Sequence, residues 1–321
     1  MNNTNAQNEI PIFFTVDDAY VPYLATALRS LSENCGKQYN YRVIVLHQGL
    51  AEENIKKLKT HEKENLKIDF DYLKNNLESI TDNMSNRLRC DYFTLTIYFR
   101  LFIPELFPQY DKGIYIDSDV VVNADIAELF NIDIGDNIIG ACRDLSIADV
   151  PPLVAYTENA VGSGKGEYIN SGVLLMNLKK MRELKFDEHF LNLLTAYHFD
   201  TIAPDQDYIN AVCNGKIHYL DETWDAMPGS RGLPEKPKLV HYNLFSKPWC
   251  YDGIEFADDF WHYAENSGFI DEIRKCKAEY SEEQKAADAE CMKLLVERGA
   301  LIQSNDITFK KMIENGVKIR L

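Results

Sequence analysis

An Asp-Ser-Asp motif at residues 117–119 is the feature of this sequence with the clearest chemical meaning. It directly follows the apolar segment 112–116, which is predicted to form a strand. Ligands of open α/β sheets bind outside the carboxyl ends of strands. Two carboxylates at this spacing can converge there on a hard cation such as Mg²⁺ or Mn²⁺. The spacing also fits an acidic turn that ends a strand, so the motif alone leaves both interpretations open.

Three further polar clusters lie at the ends of predicted strands or the starts of predicted helices. They are Asp17-Asp18, Asp205-Gln206-Asp207, and the segment 241–249 that contains His241 and Lys247. The aspartates also fit ordinary helix caps. Most lone histidines are structural, but His241 ends a strand and precedes a Lys-Pro-Trp loop, which favours an exposed site. Histidine can complete a metal site, and lysine can pair with a phosphate.

Two common catalytic motifs are absent from the sequence. The glycine-rich segment 160–167 is not a phosphate-binding P-loop, because Gly166 follows Lys165 and Asn159 occupies the required first glycine position. We interpret it as a flexible loop. No Gly-x-Ser-x-Gly motif is present, so hydrolase chemistry with a serine nucleophile has no support.

Apolar runs and helical periodicities alternate along most of the chain, which predicts a parallel sheet covered by helices. The predicted strands are 10–16, 41–46, 66–72, 112–116, 120–122, 138–142, 168–177, 216–220 and 238–242. The predicted helices are 20–31, 52–64, 92–106, 178–183, 187–197 and 205–213. Two more helices are expected at 282–298 and 305–315, joined around Gly299. We therefore predict a main domain over residues 1–275 and a helical extension over 276–321.

The charge of the chain is strongly negative and unevenly distributed. The 321 residues include 50 acidic and 34 basic side chains, a net charge of −16. Residues 111–149 carry nine acids against Lys112 and Arg143, whereas residues 281–321 are neutral. This balance argues against nucleic acid and against general adhesion to anionic lipid. Four cations within residues 310–321 leave a peripheral membrane contact open.

The sequence indicates no secretory or membrane-spanning segment. Residues 1–9 are polar, and no apolar run reaches the ~18 residues of a membrane span. The seven cysteines are scattered and form no Cys-x-x-Cys pair, so neither a zinc ribbon nor a dithiol redox motif is indicated. A cytoplasmic location is expected, with contact at the inner face of the membrane left open.

Taken in order, these segments resemble the family 8 retaining glycosyltransferases, which include bacterial lipopolysaccharide galactosyl- and glucosyltransferases and glycogenin. The resemblance covers about residues 10–249. The matching motifs are Asp17-Asp18-x-Tyr20, Tyr98-x-Arg100-Leu101, residues 115–119, residues 169–174, Asp205-Gln206-Asp207, and His241 with Lys247-Pro248-Trp249. It implies a GT-A fold, a Rossmann-like and mostly parallel sheet flanked by helices that binds a UDP-sugar.

The resemblance also implies a role for each matching residue. Asp117, Asp119 and His241 would hold Mn²⁺, with Mg²⁺ as an alternative, and Lys247 would pair with the diphosphate. Asp17 would bind the uracil and Tyr20 would stack on it. Further contacts to the nucleotide-sugar are expected from Thr15, Asp18, Arg100, Ser118, Asp119, Asp144, Asn170 and Asp205. Gln206 would lie at the reacting face of the sugar, with Asp205 and Asn170 as the other catalytic residues.

The expected reaction is transfer of glucose or galactose from UDP-glucose or UDP-galactose to an oligosaccharide or glycolipid acceptor, as in synthesis of bacterial surface glycan or lipopolysaccharide. Two residues depart from the family pattern: Ala19 replaces a usual Asn, and Leu244 replaces a frequent Gly. Two alternatives remain. One is a UDP-sugar-binding pseudoenzyme, and the other is a haloacid-dehalogenase-type phosphatase with Asp117 as nucleophile. The sequence does not decide the oligomeric state.

Overall fold

A computed structural model describes residues 9–72 and 95–321, and its centre is a seven-stranded sheet. The strands are β1 (Glu9–Thr15), β2 (Asn40–His47), β3 (Leu66–Tyr72), β4 (Gly113–Ile116), β5 (Val120–Val122), β6 (Ile139–Arg143), β7 (Ile169–Met176), β8 (Ile217–Tyr219) and β9 (Leu239–His241). The order in the sheet is β3-β2-β1-β4-β7-β6-β8, and β5 pairs with β9 separately. All neighbours in the sheet are parallel except β7, which runs antiparallel to β4 and β6. The prediction of a mostly parallel sheet is confirmed.

Helices cover both faces of the sheet. They are α1 (Val21–Asn34), α2 (Glu52–Lys59), α3 (Ile103–Leu106), α4 (Ala127–Phe130), α5 (Pro151–Tyr156), α6 (Leu178–Glu183), α7 (Phe186–Tyr197), α8 (Pro204–Val212), α9 (Ala257–Ala264), α10 (Ile270–Glu279), α11 (Glu282–Ile302) and α12 (Phe309–Glu314). Side chains alternate between the faces of a strand. Ile12 and Phe14 therefore pack into the layer with α1, α9 and α10, while Phe13 packs into the layer with α5 to α8, α11 and α12.

The limits of several predicted helices differ from the observed ones, and the helix expected at 305–315 covers only Phe309–Glu314. α2 ends at Lys59 and not near residue 64, and Leu95–Phe102 is a 3₁₀ helix that leads into α3. Residues 92–94 of that predicted helix lie outside the described residues. α11 runs through Gly299 without a break. A side chain at Gly299 would lie 3.1 Å from Leu153, so glycine at this position permits close packing of α11 on α5.

The antiparallel strand β7 decides which residues meet at the carboxyl edge of the sheet. β4 and β6 end at this edge, where Asp117 and Asp144 follow them. Because β7 runs the opposite way, its first residues, Asn170 and Ser171, lie at the same edge. No helix within residues 9–72 and 95–321 combines the length and apolar character that a membrane span requires.

Candidate active site

A short strand pair brings His241 to the Asp-Ser-Asp motif across 122 residues of sequence. In the pair of β5 and β9, Val120 lies opposite His241. The backbone N–H of Tyr242 donates to the carbonyl of Asp119 at 2.9 Å. His241 Nε2 lies 3.3 Å from Asp119 Oδ1 and 3.8 Å from Asp117 Oδ2. Possible ligand atoms of the three side chains all lie within 4.8 Å of one another.

Gly172 leaves the space that this cluster occupies. A Cβ at Gly172 would overlap the imidazole ring of His241 and would lie 2.9 Å from Asp117 Oδ2. The N–H of Gly172 donates to Asn170 Oδ1 at 2.8 Å, and its carbonyl accepts from the N–H of Asp117 at 2.8 Å. The glycine therefore fixes the motif while allowing both side chains to approach. Two carboxylates and an imidazole in such a cradle fit Mn²⁺ or Mg²⁺.

Asp225 orients His241 from behind. Its Oδ1 lies 3.0 Å from His241 Nδ1, on the side of the ring away from the cluster. Its Oδ2 is buried and has no hydrogen-bond partner among the described residues. Burial opposes a positive charge on His241, but the carboxylates of Asp225 and Asp119 outweigh it and raise the pKa of His241 to about 10. A ligand histidine with a carboxylate on its second nitrogen is the usual arrangement of metal sites.

The second oxygen of Asp117 is held by a buried cation and a phenol. Its Oδ1 accepts from Arg100 at 2.9 Å and from the hydroxyl of Tyr115 at 2.7 Å. Arg100 also pairs with Asp205 at 3.1 Å and lies over the ring of Tyr115, 4.2 Å from its centroid. Arg100 therefore fixes two carboxylates from beneath. Oδ2 of Asp117 is the oxygen nearest His241.

Lys247 ends the cluster on the other side. Its ammonium donates to Asp119 Oδ2 and to the carbonyl of Tyr242. Burial alone would raise the pKa of Asp119, but Lys247 and His241 outweigh it and hold that pKa well below the usual range. Asp119 is therefore ionised, with a cation already beside it, at neutral pH.

A hydrogen-bonded group of amides and carboxylates lies next to the cluster. Asp144 Oδ2 accepts from the side-chain amides of Gln206 at 2.8 Å and Asn170 at 3.2 Å. Gln206 Oε1 accepts from the N–H of Ser171 at 3.1 Å. The predicted residues Asp144, Asn170, Asp205 and Gln206 therefore meet at one place. Asp207, the third residue of that motif, points into the core.

The predicted site residues at the end of β1 contact either the Asp-Ser-Asp motif or the helices that follow. Thr15 and Ser118 join the motif to β1: the Ser118 hydroxyl donates to the carbonyl of Thr15 at 2.9 Å, and Thr15 Oγ1 lies 2.8 Å from the Tyr115 hydroxyl. Asp17 Oδ1 accepts from the N–H of Tyr20 at 3.1 Å, just before α1. Asp18 is exposed, and its Oδ1 accepts from Ala51 and Asn54 at the start of α2. That contact links the segment after β1 to the start of α2.

Leu244 keeps the backbone shape that glycine would favour. Its φ is 48°, in the left-handed region that is uncommon for residues other than glycine. The loop before Lys247 therefore has a glycine-like backbone conformation at Leu244, at the cost of some strain.

The sequence profile of glycosyl transferase family 8 matches residues 11–253, most of the chain. The chain belongs to glycosyl transferase family 8. A Haemophilus influenzae protein with a provisional glycosyltransferase name is 31% identical over 270 residues, which are 78% of this chain and 72% of that protein.

Two further relatives of this chain are glycosyltransferases by name. The lipopolysaccharide 1,2-glucosyltransferase of Escherichia coli is 25% identical over 209 residues, which are 59% of this chain and 60% of that protein. The structure of the galactosyltransferase LgtC with donor and acceptor sugar analogues matches 80% of this chain and 96% of LgtC, with 26% identity and a TM-score of 0.68. The GT-A fold is confirmed, and the helical C-terminal region is present as expected.

Sequence reasoning missed two residues that shape the site and gave no role to two others. Asp225 had no sequence signal, because it lies in no recognisable motif and meets His241 only through the fold. Gly172 was part of a matched motif, but its lack of a side chain becomes meaningful only with His241 above it. Tyr115 and Ser171 were likewise within matched motifs, and their hydroxyls contact Asp117 and Asp205.

Replacing Asp225 with asparagine is expected to weaken Mn²⁺ binding by about 10–100-fold, as outer carboxylates of ligand histidines commonly do. The amide keeps the shape but loses the charge that orients His241. Calorimetric titration of Mn²⁺ without nucleotide measures the effect. The matched control is Asp221→Asn, which changes an exposed carboxylate in the same segment. Equal Mn²⁺ affinities for the two variants would contradict the role of Asp225.

Proposed function

We propose that this chain is a retaining hexosyltransferase that moves glucose or galactose from UDP-glucose or UDP-galactose to an oligosaccharide or glycolipid acceptor. Family membership supports glycosyl transfer. The observation that carries the finer proposal is the convergence of Asp117, Asp119 and His241 beside Lys247, at the sheet edge where nucleotides bind. Surface glycan or lipopolysaccharide synthesis is the proposed setting, by analogy with the E. coli and LgtC relatives.

In this proposal Asp117, Asp119 and His241 hold Mn²⁺ or Mg²⁺. The bound ion would supply positive charge to the diphosphate as it leaves. Lys247 adds a second positive charge in the same place, and since it is buried its attraction is weakly screened. An ammonium has three hydrogens, and the bonds of Lys247 to Asp119 and to the carbonyl of Tyr242 use two of them, so the third can donate to the substrate.

The hydrogen-bonded side chains next to this cluster are proposed to bind the sugar. Asp144, Asn170 and Gln206 are each almost fully buried and hydrogen-bonded to one another. Such a rigid group can position hydroxyls without reorganising. We propose that Asp205 and Gln206 face the transferred sugar, and that Asp17 and Tyr20 bind the uracil. We also propose residues 1–275 as the transferase domain and 276–321 as its helical extension.

The proposal does not include membrane contact. Three of the four cations of the C-terminal segment are engaged within the chain. Lys310 donates to Asn159, Lys311 to the carbonyl of Asn305, and Arg320 to the carbonyl of Gly162. The phosphatase alternative has no supporting observation once the family is known.

Release of UDP tests the proposed function. The protein is incubated with Mn²⁺ and a panel of UDP-sugars, with and without saccharide acceptors. UDP is then quantified, and the anomeric configuration of any product is read by NMR. We expect Mn²⁺-dependent UDP release with UDP-glucose or UDP-galactose. Nucleotide binding without UDP release from any donor would favour the pseudoenzyme, and inversion would exclude retention.

A further inference from the structure

Two cysteines lie behind the turn that carries Lys247. Cys250 ends this turn, and Cys276 lies on α10. Both side chains are partly exposed, and both pack against the buried layer that contains α1, α9 and α10. No Cys-x-x-Cys motif marks this pair in the sequence, because 25 residues separate its members.

The surrounding contacts join the segment after Cys250 to the helices α10 and α11. Lys277, the residue after Cys276, lies 2.8 Å from Asp252 and donates to the carbonyl of Tyr251 at 3.4 Å. The hydroxyl of Tyr251 donates to Asp288 on α11 at 2.6 Å. The residues after Cys250 are thus fastened to α10 and α11. The two cysteines therefore lie on segments that are held against each other.

The environment also prepares Cys276 to react. The hydroxyl of Tyr23 donates to Cys276 Sγ at 3.4 Å, and the ring of Tyr23 stacks on Trp249 with centroids 4.0 Å apart. Interaction with the thiol of Cys250 and the hydrogen bond from Tyr23 outweigh partial burial and lower the pKa of Cys276 below the usual range of a thiol. The thiolate is the nucleophilic form of cysteine, and partial exposure allows a small oxidant to reach it.

We propose that Cys250 and Cys276 form a redox-modification site that a peroxide converts to a disulfide. The Cys276 thiolate attacks one peroxide oxygen, and the O–O bond breaks. Cys276 becomes a sulfenic acid and the first water is released after protonation. The sulfur of Cys250 then attacks the sulfenic sulfur, the S–S bond forms, and the hydroxyl leaves as a second water with the thiol proton. The two sulfurs supply the two electrons that reduce the peroxide.

The disulfide would act on the donor site through the Lys247 turn, and this consequence rests on the proposed function. The N–H groups of Cys250 and Tyr251 donate to the carbonyl of Lys247 at 3.0 and 2.9 Å. Linking Cys250 to α10 therefore restricts the same turn. Because Lys247 is proposed to pair with the diphosphate from this turn, we expect oxidation to slow turnover.

Mass spectrometry tests the modification itself, independently of any activity. The full-length, fully reduced protein is treated with hydrogen peroxide, quenched and digested without reduction. We expect a peptide that links Cys250 to Cys276, with the loss of two hydrogen atoms. Cys276→Ser should abolish it. Cys291→Ser, a partly exposed cysteine on α11, should retain it. Overoxidation of Cys276 with no linked peptide, or linkage to another cysteine, would overturn the proposal.

Turnover before and after oxidation tests the consequence. We expect slower UDP release from the disulfide form, because loop movements can limit turnover, and full recovery with dithiothreitol. Cys276→Ser should keep the unoxidised rate and should not respond to peroxide. Unchanged turnover in the disulfide-linked protein would refute the coupling to Lys247. If the reduced protein releases no UDP, the proposed function fails, while the linked peptide still decides the modification.

Discussion

Replacing Asp119 with asparagine is expected to weaken Mn²⁺ binding at least about a hundredfold, because losing a direct ligand costs more than losing the outer partners that already cost 10–100-fold. Asp119 faces His241 with one oxygen and Lys247 with the other. The amide keeps the size of the side chain but removes the charge that a cation needs. Metal-dependent UDP binding should therefore disappear, and UDP release with it.

The measurement is a titration of Mn²⁺, followed by UDP titration at saturating Mn²⁺. Lys247 loses its counter-charge in this variant, so circular dichroism is needed to verify that the protein is folded. Asp136→Asn is the matched control, because it removes one exposed carboxylate from the same acidic segment. If the Asp119→Asn protein binds UDP in Mn²⁺ as tightly as this control does, the assigned metal site is wrong.

Replacing Gly172 with alanine is expected to disable the site through a single added methyl group. The new Cβ would overlap the His241 ring and crowd Asp117 Oδ2 at 2.9 Å. Forcing a methyl into a filled space costs about 1–3 kcal/mol, and it displaces the groups it meets. We therefore expect lower thermal stability together with weaker Mn²⁺ binding, measured on the same preparation.

A second background separates the clash from a general effect on β7. In a His241→Ala protein the ring is gone, so adding Gly172→Ala should cost much less stability than it does in the normal background. Contacting residues are coupled in this way, and a double-mutant cycle measures the coupling. Additive stability losses would mean that the methyl group acts elsewhere.

Much of the fold follows from local sequence patterns. The strands β1 to β9 lie close to their predicted positions, because buried runs of β-branched and aromatic residues are short and bounded by polar residues. The predicted end of a helix was wrong where packing between helices outweighs local helix propensity. Gly299 reads as a helix end by sequence, but in α11 it serves close contact with α5. The direction of β7 was also not readable from its composition.

The order of residue types along the chain is enough to identify the family, to predict the sheet of alternating strands and helices, and to name most residues of the candidate site. Which of these residues meet follows only from the folded chain. The pairing of β5 with β9 brings His241 to Asp119, and only the folded chain places Asp225 behind the ring. Likewise, no sequence motif links Cys250 with Cys276. Contacts between residues far apart in the chain leave no local pattern, so only folding reveals them.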